Sequence, residues 1–143
     1  MSFKQWTAVV QLVAAGIVGV WLLREVSVAG AFPDTIEDAA RRLLWALGFI
    51  IAFNILASIV TAILVSIARG EEIKDERADE RDKAVNAKGM RNAYLALSIG
   101  GLATLIFLGV GGNPPGAAYL LFAAMLLAGA VDSASRLAYY RLG

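Results

Sequence analysis

The chain has 143 residues, 59% of them hydrophobic and only 17% charged, with a formal net charge of +1. A soluble domain of this length carries about 45–50% apolar and about 25% charged residues, so this composition, with a mean hydropathy of +0.67, excludes a disordered chain, a fibrous repeat and an ordinary soluble enzyme and points to a membrane protein. Cysteine and histidine are absent, which excludes disulfide scaffolds, thiol nucleophiles, zinc centres and histidine acid–base chemistry, and the near-neutral balance leaves no global field to recruit nucleic acid.

A helix needs about 20 mainly apolar residues to cross a bilayer. The first such run, 6–23, has no charge between Lys4 and Arg24. It also carries a secretory pattern: Lys4, an apolar stretch, then Ser27-Val28-Ala29 as a small-x-small cleavage site. The length of the run and the Arg24-Glu25 pair ahead of that site favour a retained span over a signal peptide. Pro33 then stops helical continuation, and Asp34 with Glu37 three residues later matches a capping box. A helix is predicted to start near Asp34 and to continue through the second apolar run, 43–68. Its length would be about 35 residues, or about 50 Å.

The segment 69–92 reads RGEEIKDERADERDKAVNAKGMRN. Seven acids (Glu71, Glu72, Asp75, Glu76, Asp79, Glu80, Asp82) match seven bases (Arg69, Lys74, Arg77, Arg81, Lys83, Lys88, Arg91). Acids lead and bases follow, which suits a helix dipole, and Asp79–Lys83 is an i,i+4 pair in the better orientation. A charged helix running into the third apolar run, 93–110, is predicted. Such a run ordinarily serves as a solvated face; the alternative is a partner-binding surface of Asp79, Glu80, Arg81, Lys88 and Arg91. The acids are of the type that hold Mg²⁺, but the interleaved bases oppose it, and the acids in turn cancel much of the pull of those bases on anionic headgroups. Gly111-Gly112-Asn113-Pro114-Pro115-Gly116 is a breaker cluster. It predicts a tight turn that makes the third and fourth runs antiparallel neighbours, the fourth spanning 117–138.

The Lys/Arg bias of the loops sets orientation. Lys4, the seven bases of 69–92, Arg136 and Arg141 fall on one side, against Arg24, Arg41 and Arg42 on the other. Both termini are therefore expected in the cytoplasm. Trp21, Trp45 and Tyr119 then fall at the outer interface and Trp6, Tyr94, Tyr139 and Tyr140 at the inner one, as amphipathic rings prefer.

Asp79-Glu80-Arg81-Asp82-Lys83, followed by Lys88, Arg91 and Tyr94, resembles a family of small bacterial and archaeal integral membrane proteins catalogued as domain of unknown function 2178. That family's pattern is DERD, a Lys a few residues on, then a basic residue and a Tyr entering a membrane helix. The likeness covers residues 70–110 by motif and the remainder by hydropathy alone. A tandem repeat, Asp75-Glu76-Arg77 then Asp79-Glu80-Arg81, departs from the pattern and leaves its register open by four residues. The resemblance implies a multi-span protein of a prokaryotic cytoplasmic membrane and carries no activity.

An ionisable residue inside a span is a functional candidate. Asp132 is the one acid within a predicted span, with Arg136 at i+4 and Ser133 and Ser135 beside it. It reads either as a proton- or cation-binding carboxylate, as a latch for a base of 69–92, or as a snorkelling structural pair with Arg136. Asn54, Ser58, Ala62 and Ser66, with Thr61 alongside, form a small polar stripe on the second run; close helix packing is its common use and a pore lining the sharper one. Ala15–Gly19, Ala96–Gly100 and Ala124–Ala128 are small-xxx-small pairs that mark close helix contacts. No nucleophile elbow, no phosphate loop and no deep carboxylate pair is present.

The sequence thus predicts an all-α membrane domain of four antiparallel spans with a charged cytoplasmic helix, a non-enzyme without cofactor or metal. Its expected partners are the bilayer, further copies of itself and a membrane or cytosolic protein. The alternative is an oligomeric channel or transporter using the Asn54 stripe or Asp132.

Overall fold

A computed structural model describes residues 3–28, 33–69 and 80–142 of the protein. They form α1 (Phe3–Val28), α2 (Ile36–Arg69), α3 (Glu80–Gly109) and α4 (Pro114–Leu142). Each helix contains a stretch long and apolar enough to cross a bilayer: Gln5–Ser27, Ile36–Leu64, Glu80–Gly109 and Pro114–Arg141. The four apolar runs of the sequence fall one in each helix. Asp79 and the rest of 70–79 lie outside the described residues; from Glu80 to Asn92 the chain is helical and continuous with the third apolar run.

The helix ends follow from local chemistry. Ahead of α2 the Asp38 amide donates to the Thr35 hydroxyl oxygen at 3.2 Å. The capping oxygen is therefore that of Thr35 rather than Asp34, one residue later than the capping-box spacing suggests. At 34 residues α2 is about 51 Å long, as its uninterrupted run from Pro33 to Arg69 predicts. The end of α3 is a Schellman motif: the Gly112 amide donates to the Phe107 carbonyl at 2.9 Å and that of Gly111 to Leu108 at 3.1 Å. Gly111 takes a φ of +91°, which only glycine adopts without strain. Asn113 then caps α4, its Oδ1 accepting from the Gly116 amide at 2.7 Å, with Pro114 at the first helical position, where its missing N–H is no loss.

Among the described residues α4 touches each of the other three helices, α1 also touches α2, and α3 packs on α4 alone. Val18 and Leu22 of α1, Ala39 and Leu43 of α2, and Tyr119 and Phe122 of α4 form an apolar core at the end of the molecule that carries the α3–α4 turn. Within an apolar window of 18 residues in each helix, 33% of residues are buried in α4 but 6% in α3 and none in α2. The exposed faces carry large apolar side chains such as Trp45, Ile67, Ile99 and Leu105. A surface of that extent would drive aggregation in water and is matched by hydrocarbon.

Contacts between α3 and α4 pair in descending order: Asp82 with Tyr140, Asn92 with Ser135, Gly100 with Ala124. At Gly100 the helices approach so closely that an added Cβ would overlap the Ala124 methyl and lie 3.2 Å from its Cα. The two small-xxx-small pairs on these helices thus meet at Gly100 and Ala124, a close approach of the kind such motifs permit. At Gly19 on α1 an added Cβ would lie an ordinary 3.7 Å from Leu126.

Candidate functional site

At the end of the bundle away from the turn, the α3–α4 seam changes from apolar to polar. Arg136 and Asp132 share one face of α4 because they are four residues apart. The Arg136 Nε donates to Asp132 Oδ1 at 2.9 Å and its Nη2 meets Oδ2 at 2.6 Å. This two-pronged geometry is the strong form of the arginine–carboxylate pair. The pair sits directly over Gly89 of α3, where an added Cβ would lie 2.5 Å from Asp132 Oδ1 and 3.0 Å from Arg136 Cγ. Glycine is the residue that lets α3 pass beneath two long polar side chains.

Further polar bonds extend the seam on both sides of the pair. The Asn92 amide donates to Ser135 Oγ at 3.0 Å and to the Tyr139 hydroxyl at 3.4 Å. The Lys88 ammonium stands 5.2 Å from the Tyr139 ring centre, within cation–π range. Nearer the start of α3, the Tyr140 hydroxyl donates to Asp82 Oδ1 at 2.8 Å, and Arg81 donates to the Tyr140 carbonyl at 3.4 Å. The α1 side is tied in by Ser133, 1% exposed, whose hydroxyl donates to Gln11 Oε1 at 3.0 Å. Chemically this is a set of satisfied donors and acceptors, with no nucleophile aligned to a base. Among the described residues no group of three or more acids is placed to hold a metal ion.

The polar stripe of α2 behaves differently. Asn54 donates to the Ile50 carbonyl at 2.9 Å and Thr61 to the Ala57 carbonyl at 2.7 Å. Both bonds run back along their own helix, the usual way a polar side chain is satisfied inside an apolar helix. Asn54, Ser58, Thr61, Ala62 and Ser66 are all half-buried and continue the face of Ile50, which packs against the apolar core. At the opposite end, Arg42 and Glu25 form a 3.1 Å ion pair that joins α2 to α1.

The structure thus brings Asp132 and Arg136 together and places Arg81 and Lys88 against α4's last turns. Glu80 and Arg91 are exposed on α3, Asp79 lies outside the described residues, and Asn54, Ser58 and Thr61 lie on a different helix from the seam. Sequence reasoning missed Gln11, Asn92 and Gly89. A lone Gln within an apolar span is a signal for a cross-helix bond, and an isolated Gly within a helical charged stretch marks a close approach; Asn92 reads only as the last polar residue before the span. Comparison with protein-family models, curated proteins and solved structures finds no match to this chain.

Proposed function

We propose that this is a multi-pass membrane protein with a structural, regulatory or partner-binding role. In this reading four antiparallel spans present the charged start of α3 at the cytoplasmic face of a prokaryotic inner membrane, as the likeness of its DERD segment to the uncharacterised family suggests. The observation that supports it is the contrast between two sides of α3. Towards α4, Asp82, Gly89 and Asn92 are engaged in holding the helix pair together. Away from it, Glu80 and Arg91 are exposed, and Lys88, also exposed, stands at the border of the two sides over the Tyr139 ring. The reading is non-enzymatic, in line with a sequence lacking histidine, cysteine and any catalytic motif. A channel or transporter has less support, because Asn54, Thr61 and Asp132 each have a hydrogen-bond or ion-pair partner on their own helix.

Two measurements test the reading. Reporter fusions after Gly143 and within the Gly111–Gly116 turn should report the cytoplasm and the opposite side, respectively; a C-terminal reporter on the outside overturns the topology. Purified protein in liposomes should carry no ion or proton flux. A flux that Asn54→Leu abolishes would replace the structural reading with the channel.

A further inference from the structure

We infer that the free flank of α3, with Lys88 and Arg91 at its head, is a docking surface for anionic phospholipid. The inference rests on the membrane-embedded reading above and names the partner of that helix face.

The first observation is that charges balanced in the sequence are sorted by the helix. Between Glu80 and Asn92 lie four bases and two acids. One acid, Asp82, is turned to α4, where it accepts from Tyr140. At 100° per residue Arg81, Lys88 and Arg91 fall within an arc of about 80°, beside the α4 contact, with Lys83 on the far side. On the wheel Glu80 falls about 20° outside this arc, beside Arg91, but it lies about 16 Å from Arg91 along the axis, too far to neutralise it.

Depth is the second observation. No charged residue occurs from Asn92 to Val131. The part of α3 beyond Arg91 is 18 residues, Asn92 to Gly109, or about 27 Å, close to the hydrocarbon thickness of about 30 Å. Arg91 therefore stands at the edge of the hydrocarbon, and Lys88 about 4.5 Å further out, the level of lipid phosphates. The Tyr139 ring beneath Lys88 holds its ammonium on this flank.

The third observation identifies an amphiphile rather than a soluble anion. On the same arc the basic head continues into Leu95, Ile99, Leu102 and Ile106, all more than half exposed. No other helix covers them, since α3 packs on α4 alone among the described residues. A phosphate at Arg91 with an acyl chain lying along these four side chains matches the strip in both charge and length.

The test uses the full chain in mild detergent, with bound lipid counted by native mass spectrometry. Phosphatidylglycerol should be retained and phosphatidylcholine lost. Lys88→Gln with Arg91→Gln should weaken phosphatidylglycerol binding about ten- to thirtyfold, at about 1 kcal/mol per basic residue. Arg91→Gln alone, at an exposed position, should give part of that loss, and Lys83→Gln little. Equal retention of the two lipids, an equal loss in Lys83→Gln, or displacement by millimolar glycerol 3-phosphate would overturn the proposal; the last would indicate a soluble phosphate ligand. Failure of the membrane reading would look different, as release of the protein from membranes by alkaline carbonate.

Discussion

A carboxylate in an apolar helix persists only with a partner close at hand, and Asp132 has one on its own helix in Arg136. Their side chains are 19% and 28% exposed, so the pair is neither fully solvated nor fully buried. Removing one partner leaves the other charge poorly compensated, whereas removing both does not. Asp132→Asn and Arg136→Gln should each lower stability by about 1–3 kcal/mol, and the double variant should be less harmed than either single one. Thermal unfolding of all four proteins in one detergent measures the coupling, and strictly additive losses would mean the pair contributes nothing. The i,i+4 spacing made Arg136 legible as the partner. The seat beneath the pair was not legible, because nothing in a charged, alanine-rich stretch says which helix Gly89 will face. Lys88, an equally plausible partner by position, instead lies over Tyr139.

At the scale of elements, the helices were readable because their lengths are dictated by apolar runs and their ends by proline, glycine and asparagine. The α3–α4 turn shows this best: Gly111, Asn113 and Pro114 each occupy the position their backbone chemistry favours. The α2 cap was displaced by one residue because Asp34 and Thr35 are both competent capping residues, and it is the Thr35 hydroxyl that takes the Asp38 amide. Contact between elements is decided by small side chains, and two adjacent glycines of α3 separate packing from propensity. An added Cβ at Gly100 would overlap Ala124, while one at Gly101 meets nothing within 4 Å. Gly100→Ala should therefore destabilise the protein by about 1–3 kcal/mol through overpacking. Gly101→Ala should be neutral or stabilise it by up to about 1 kcal/mol through helix propensity. Thermal unfolding of the two variants in one detergent compares them directly; equal effects would mean that the α3–α4 approach is looser than the structure has it.

The arrangement of the whole molecule was the least legible. The sequence places the third and fourth runs side by side and leaves the other pairings open; in the structure α4 is the hub, and α2 and α3 make no contact with each other among the described residues. Apolar runs that are greasy all round carry little information about which face meets which helix, because lipid and protein interiors are equally apolar. What distinguished α4 was its small residues: Ala117, Ala124, Ala128 and Ser133 are all buried. The hub geometry leaves α2 buried only at Ala39 and Leu43, near its start, among its described side chains, and with a half-buried polar stripe along one side. If the protein self-associates, as its sequence leads one to expect, α2 is the helix left least covered, whereas the flank of α3 at Ile99 is assigned to lipid. The absence of cysteine makes this directly measurable, since each introduced thiol is the only one in the chain. Leu56→Cys, at a position 63% exposed on α2, should give a disulfide-linked dimer on mild oxidation in native membranes. Ile99→Cys on the lipid flank and Ala128→Cys in the buried seam should stay monomeric. A dimer through Ile99→Cys would place a second copy where the lipid is proposed. No dimer from Leu56→Cys, at any protein density, would leave α2 facing lipid and the protein working as a monomer.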